Sequence, residues 1–394
     1  MNKIAIKLKP AAERKVKMGH PWVFEESITK QSKEAKTGDL CIIFDSAKNQ
    51  FLAMGLFDED SPIKIKLFQF HKQVKFDDNF ILNNLNKAYY KREKYFDDSF
   101  NAYRLIYGES DNFPSLVIDV YNKSAVIKIY SLIWANYLKL ISEYIFNLLD
   151  LDCVILRLSR NIEIKAKQID LFNGKILKGE LKNNSIVFKE NGLLFNANIV
   201  SGHKTGYFLD QRANRRRVGE IAKGKSVLDV FSYNGGFTIN ALCKDAKSVT
   251  SIDINEHALK SIEDNLKLNK YNGKFNFICG DAFVKMEELI KNKTSFDIVV
   301  IDPPAFAKSE REIETAKKQY SRLASLGSKL VNKDGYLILA SCSSRINSDE
   351  FFDINKIALK NIKYELIITS FHDFDHPAEL EEMKYLKCGF YKFF

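Results

Sequence analysis

The chain has 394 residues, with 60 Lys plus Arg against 50 Asp plus Glu and a formal net charge of +10. That length calls for two or three domains, and 45% hydrophobic with 28% charged residues excludes a disordered, collagen-like or disulfide-scaffold chain. No uncharged apolar run of ~18 residues is present to span a membrane, MNKIAIKLKP lacks a signal-peptide core, and six scattered cysteines without a CxxC pair read as reduced thiols, so a cytoplasmic setting without a bound metal is expected.

Residues 1–72 read as short strands, Ile4–Leu8, Leu40–Phe44, Phe51–Leu56 and Ile63–Leu67, separated by turn residues, which suits a small β-barrel. Residues 73–190 open on a helical pattern (Phe80, Leu82, Leu85, Ala88, Tyr89). Strands follow at Tyr103–Tyr107, Leu116–Val120 and Ala125–Tyr130, then a helix at Trp134–Leu149 and a strand at Val154–Leu158, making an α+β module. From 191 to 394 the texture changes. Fully apolar runs at Ser226–Phe231, Ser248–Asp253, Phe275–Cys279, Asp297–Ile301, Gly335–Ala340 and Leu366–Thr369 alternate with amphipathic helices, the pattern of a doubly wound α/β domain.

The chemistry-bearing residues lie where those strands end. SVLDVFSYNGGFTINAL reads as an apolar strand ending in Asp229, followed by Gly235-Gly236 and a helix; it is not the GxGxxG of a pyrophosphate cradle. The next two strands end in Asp253 and Asp281, and in open α/β sheets this edge binds ligands. Asp253 is placed to accept two ribose hydroxyls and Asp281 to meet an adenine amino group, with Phe283 against the ring. Phe231, Tyr233, Gly235, Ile254 and Ala282 complete the expected lining. Each acid alone could be a helix N-cap; the three together favour an adenosine-bearing cofactor without phosphates, and S-adenosylmethionine fits best. The fourth strand leads into Asp302-Pro303-Pro304-Ala305-Phe306, a stiff acceptor cluster beside an aromatic, as an extruded base requires. The fifth puts Cys342 just past its end. Cytosine C5 is too weak a nucleophile to take a sulfonium methyl unaided, and a thiolate adding at C6 would activate it. Four of the twelve arginines, Arg212, Arg215, Arg216 and Arg217, crowd into six positions, either as phosphate or carboxylate forks or as a solvated helix face.

These residues resemble the RlmI type of bacterial ribosomal RNA methyltransferase, a large-subunit (23S) cytosine-5 enzyme with an N-terminal PUA domain. GHPWVFEESI (19–28) and GDLCIIFD (38–45) are similar to its PUA barrel, RLIYGESDNFPSLVIDVY (104–121) to its central domain, and SGHKTGYFLDQRANRRRV (201–218), VLDVFSYNGGFTINAL, DPPAFAKS and ASCSS to its class I methyltransferase domain. One departure is Asn112-Phe113-Pro114-Ser115-Leu116, where the family tends to write Pro-Gly-Leu; it touches a turn, not the chemistry. The resemblance implies an S-adenosylmethionine-dependent enzyme with ribosomal RNA as partner. It puts Lys204, Thr205, Phe208, Asp210 and Arg212 near the cofactor, and Asp229, Asp253 and Asp281 at its methionine, ribose and adenine ends. Cys342 would be the nucleophile, Asp302 would serve both cofactor and chemistry, and Pro303, Pro304, Phe306, Arg215 and Arg216 would meet the RNA. It also allows a homodimer, though no sequence patch demands one. Related enzymes sharing FLD-x-R and DPP methylate guanine N7 instead; Cys342 tips the balance to cytosine, because a ring nitrogen needs no covalent activation.

Overall fold

Ile4, Ile6 and Leu8 are buried while Lys3 and Ala5 are exposed, the two-residue alternation of a half-buried strand. The computed structural model, which describes residues 1–394, builds that segment into a six-stranded sheet. Its elements are β1 (Lys3–Leu8), α1 (Pro10–Lys17), β2 (Trp22–Phe24), β3 (Ile28–Gln31), β4 (Leu40–Phe44), β5 (Phe51–Phe57) and β6 (Ile63–Phe70), in the order β2-β6-β5-β4-β1-β3. Only β1 and β4 run parallel. Helix α1 was not expected: its seven residues after Pro10 are mostly polar, and it starts because a proline at the first turn costs no hydrogen bond.

The following α+β part contains α2 (Asp78–Glu93), β7 (Ala102–Tyr107), β8 (Leu116–Tyr121), β9 (Ser124–Ile129), α3 (Leu138–Leu148), β10 (Cys153–Leu158), α4 (Glu163–Lys167) and β11 (Ile176–Gly179). The sheet order is β11-β10-β9-β8-β7, with β9 and β10 parallel. One hydrophobic core runs through both sheets: Leu40, Met54, Leu56 and Phe68 of the first pack with Ile118, Ile127, Trp134 and Leu156 of the second. Trp134 is buried and its Nε1–H donates to Pro114 O at 2.7 Å. A buried Lys66–Asp58 ion pair (2.6 Å), completed by the Ser131 hydroxyl on the same carboxylate oxygen, adds a polar tie. Met1–Phe188 with Ala197–Leu209 and Phe374–Pro377 therefore form one compact unit. β12 (Ser185–Glu190) and β13 (Leu193–Asn198) pair with each other.

The second unit comprises Lys189–Asn196, Asp210–Asp373 and Ala378–Phe394. It holds α5 (Arg212–Ile221), β14 (Ser226–Val230), α6 (Gly236–Leu242), β15 (Ser248–Asp253), α7 (Glu256–Lys267), β16 (Lys274–Cys279), α8 (Ala282–Lys291), β17 (Phe296–Ile301), α9 (Ile313–Ser328), β18 (Val331–Ser341), α10 (Ser348–Ala358), β19 (Tyr364–Ser370) and β20 (Lys387–Phe393). The order is β16-β15-β14-β17-β18-β20-β19; the first five strands are parallel and β20 is antiparallel to both neighbours. Counted within the sheet this is 3-2-1-4-5-7-6, a doubly wound fold whose strand order reverses between β14 and β17. Ligands of such sheets bind at the carboxyl ends beside that reversal. The apolar runs read from sequence supply β14 to β19; β20 was missed, because KCGFYKF interrupts its apolar positions with two lysines.

Candidate active site

β14 stops at Val230 because the chain turns sharply there. Phe231 and Tyr233 both adopt positive φ (66° and 49°), a conformation bulky residues avoid, and Gly235 follows at 79°. A Cβ on Gly235 would lie 2.7 Å from Ile262 Cγ1, so this turn requires glycine twice over, by φ and by space. The strain of Phe231 and Tyr233, about 1–3 kcal/mol each, sits at the sheet edge where function is expected. Asp253, at the end of β15, holds the turn: its Oδ2 accepts from Tyr233 N at 2.8 Å and its Oδ1 from Asn255 N at 2.9 Å. A carboxylate has about four lone-pair directions, so Asp253, partly exposed, keeps acceptor capacity for further donors.

Asp229 is 1% exposed. Its Oδ2 accepts from Thr238 N (3.1 Å) and Thr238 Oγ1 (2.7 Å), while its Oδ1 is buried without a hydrogen-bond partner. Burial pushes this carboxyl up to about 6, with the two Thr238 bonds opposing and Asp253 adding to the rise. Asp281 is exposed and caps α8, accepting from Val284 N at 3.1 Å. Beside these acids Ile254 is 72% and Val284 49% exposed, apolar surface uncovered at the strand ends. Ala282 is buried, and Phe283 packs under the Arg322 guanidinium, 4.7 Å from its ring.

Asp302 follows β17. The residue keeps some surface, yet its carboxyl lies in a dense setting. Burial first and the Asp210 carboxylate second push it up to about 7, with Asp229 adding and Arg215 and Gln211 opposing. Pro303 is buried and Pro304 exposed; the Phe306 ring lies 5.1 Å from Tyr320 and 6.4 Å from Phe283. Cys342, just beyond β18, is partly exposed and its Sγ stands 3.8 Å from Pro303 O. The thiol and the DPPAF corner are thus in contact. Neither Tyr320 nor Lys387 was singled out from sequence. The Tyr320 hydroxyl accepts from Ser341 Oγ at 3.0 Å, and Lys387, 1% exposed, donates to the carbonyls of Ser343 and Ile346. A lysine opening the apolar run KCGFYKFF was the available signal for the latter.

The arginine cluster divides. Arg215 is 3% exposed and grips buried Glu190 with two parallel bonds (2.6 and 2.7 Å), so its expected part in RNA binding is corrected: its donors are spent inside the fold. Arg212 pairs with Asp373 at 3.2 Å, and Arg217 donates to Ser370 Oγ and Asn214 Oδ1. Only Arg216 is solvent-exposed, beside Glu220 one turn on. Asp210 accepts from the Tyr385 hydroxyl at 2.7 Å. Lys204, Thr205 and Phe208 belong to the first unit. There Thr205 Oγ1 donates to Asp119 at 2.5 Å and bonds the Tyr121 hydroxyl, and the Lys204 ammonium sits 4.3 Å from the Phe208 ring centre.

A model of S-adenosylmethionine-dependent methyltransferases matches residues 170–367, and a PUA-like domain model matches residues 6–70. A ribosomal RNA large subunit methyltransferase of Deinococcus radiodurans is 36% identical, over 98% of this chain and 97% of that protein. Ribosomal RNA large subunit methyltransferase I of Aliivibrio fischeri is 33% identical over 88% of each. Among solved structures, a methyltransferase from Streptococcus mutans superposes with a TM-score of 0.83 over the full length of both chains at 20% identity, a likeness of fold. Another methyltransferase, solved in complex with SAH, gives 0.84 at 20% identity over both full lengths.

Proposed function

Because the chain belongs to the S-adenosylmethionine-dependent family of ribosomal RNA large subunit methyltransferase I, we propose that it methylates cytosine C5 in large-subunit ribosomal RNA through a covalent Cys342 adduct. The observation that carries this reading is the Cys342 sulfur against the Pro303 carbonyl, one residue from Asp302.

The residues present fit the cofactor. S-adenosylmethionine brings an ammonium, ribose hydroxyls, an adenine and a sulfonium. The second unit offers a buried carboxylate oxygen with no partner (Asp229 Oδ1), a half-exposed carboxylate (Asp253), a helix-capping Asp281 and the bare apolar Ile254. We assign those four the binding role, with Phe231, Tyr233, Gly235, Ala282 and Phe283 shaping the walls. When bound, the cofactor supplies an electrophilic methyl group. The remaining chemistry is the protein's own. Cys342 Sγ, as thiolate, forms a bond to C6, and the C5–C6 π electrons move onto C5. The Asp302 carboxyl, which titrates near neutrality, donates a proton to ring N3 as that charge develops. After methyl transfer a general base takes the C5 proton, the C–H electron pair re-forms the C5–C6 double bond and expels the thiolate, and ring N3 returns its proton to the Asp302 carboxylate. Phe306 offers the flat face against which the base lies.

In this reading residues 1–72 and 73–190 hold RNA, residues 191–394 carry the chemistry, and Arg216 meets phosphate. No helix is long and apolar enough to cross a membrane. Cys342→Ala is expected to abolish methyl transfer to RNA while leaving S-adenosylmethionine affinity nearly unchanged, with 5-methylcytidine as the wild-type product by nucleoside mass spectrometry. Full activity of the variant, or a 7-methylguanosine product, would overturn covalent catalysis.

A further inference from the structure

The nucleophile assigned above needs its proton removed, since an ordinary thiol, with a pKa of ~8.5, is mostly protonated at neutral pH. The only lysine buried beside the Cys342 turn is Lys387. In register it stands opposite Ser341, the residue before Cys342, across the antiparallel β18–β20 pair. Its Nζ donates to Ser343 O and Ile346 O, the carbonyls of the segment that carries the chain away from Cys342. No carboxylate lies within ion-pair distance of it; Glu350, an acid whose charge favours its ammonium, is itself paired with Lys317 at 2.9 Å. A buried ammonium held only by carbonyls is costly, and lysines so placed are usually kept for a reason.

We propose that Lys387 is the positioning residue of the Cys342 nucleophile: its ammonium pins the turn that presents the sulfur, and its charge stabilises the thiolate. The proposal rests on the reading of Cys342 as nucleophile but makes a claim of its own, the coupling of two side chains. Groups on at least four elements bear on this arrangement. Lys387 reaches in from β20, Tyr320 from α9 and Glu350 from α10, with Asp302 after β17. Asp302, when ionised, opposes the thiolate; Tyr320 is pushed up by burial and stays neutral; Lys387 is therefore the one cation among them that favours the sulfur anion. Burial lowers the Lys387 ammonium to about 8, so it is charged through the neutral range and loses its effect above that value.

The test needs neither RNA nor cofactor. The rate at which iodoacetamide alkylates Cys342 in the full-length protein, followed by peptide mass spectrometry against pH, reports the thiolate. This separates Cys342 from exposed Cys279 and partly exposed Cys243. In the wild type the inflection should fall below the ordinary thiol value of ~8.5. In Lys387→Met it should rise by about one pH unit, an alkylation rate about tenfold lower at pH 7, with Lys387→Arg recovering part of it. A wild-type inflection at or above ~8.5 overturns the proposal without any variant, which covers the case in which Lys387→Met fails to fold. Superimposable profiles of wild type and a folded Lys387→Met overturn it too. A shifted profile alongside a fully active Cys342→Ala enzyme would instead keep the coupling and remove covalent catalysis, so the two failures are distinguishable.

Discussion

Replacing Asp302 by Asn tests whether the DPP carboxyl is held at a thermodynamic cost. In the folded chain this group is raised from 3.8 to about 7, chiefly by burial. A carboxyl whose folded pKa lies above its unfolded value binds its proton more tightly when folded. The folded state then holds more protons than the unfolded one between the two values, and stability falls as pH rises through that window. Below about 4 the group costs nothing; above about 7 the full penalty applies. The difference of about three pH units, at 1.36 kcal/mol each, comes to about 4 kcal/mol as an upper figure.

Asn keeps the shape and cannot ionise. Asp302→Asn should therefore melt roughly 10 °C above the wild type at pH 8, taking 2–4 °C per kcal/mol for a unit of this size, and less than half as far above it at pH 5, where the penalty is about 1.6 kcal/mol. Calorimetry is the appropriate assay, because both tryptophans, Trp22 and Trp134, lie in the first unit, where intrinsic fluorescence would report on the other part of the chain. Asp229 titrates in the same direction in both proteins and largely cancels. An offset equal at the two pH values, or a variant less stable at pH 8, would refute the argument. Methyl transfer should fall in the same variant, so that stability and activity move in opposite directions.

Two further outcomes follow from the same geometry. Arg215→Ala leaves buried Glu190 without its partner and should cost about 3–5 kcal/mol by calorimetric melting, whereas exposed Arg216→Ala should leave the melting temperature unchanged. Arg216→Ala should instead lower the salt dependence of RNA affinity by about one counterion; an unchanged slope would remove Arg216 from the RNA contact. Gly235→Ala must force both the positive φ and the 2.7 Å approach to Ile262, and should weaken S-adenosylmethionine binding at least about tenfold in a calorimetric titration. Unaltered affinity would place the cofactor away from this turn.

The fold was legible where local pattern and tertiary role coincide. The apolar runs of β14, β15 and β17 are buried on both faces, so they could be read without knowing their neighbours. The acids at their ends, the DPP corner and Cys342 could be located for the same reason, since a parallel sheet delivers every strand terminus to one edge. What was not legible depends on distant partners. Arg215 is indistinguishable from Arg216 in RANRRRV until Glu190, from β12, turns out to face one and not the other. Lys387 and Tyr320 acquire meaning only through the β18–β20 register and the placement of α9 against β18. Helix α1 and strand β20 escaped because their lysines mask the periodicity that would mark them.

The costs in the second unit are concentrated. Phe231 and Tyr233 sit in a conformation that bulky side chains avoid, Asp229 and Asp302 are carboxyls pushed toward their neutral form, and Lys387 is a buried ammonium without a carboxylate. These features come from β14, β17 and β20 and the turns beside them, elements far apart in the sequence, yet all lie at the edge where the parallel strands end. A chain selected only for stability would have little reason to retain them together, since an apolar residue at Lys387 or an amide at Asp302 would remove a penalty without disturbing a strand. Their coincidence is better explained by groups that offset them: a bound cation for the carboxylates, a ring for the aromatic corner, and the Cys342 thiolate for the lysine. On that argument, saturating S-adenosylmethionine should raise the melting temperature of the wild type more than that of Asp229→Asn, because the variant has no carboxylate left for the cofactor's positive charge to relieve. Equal increments in the two proteins would mean that the Asp229 penalty is unconnected with cofactor binding.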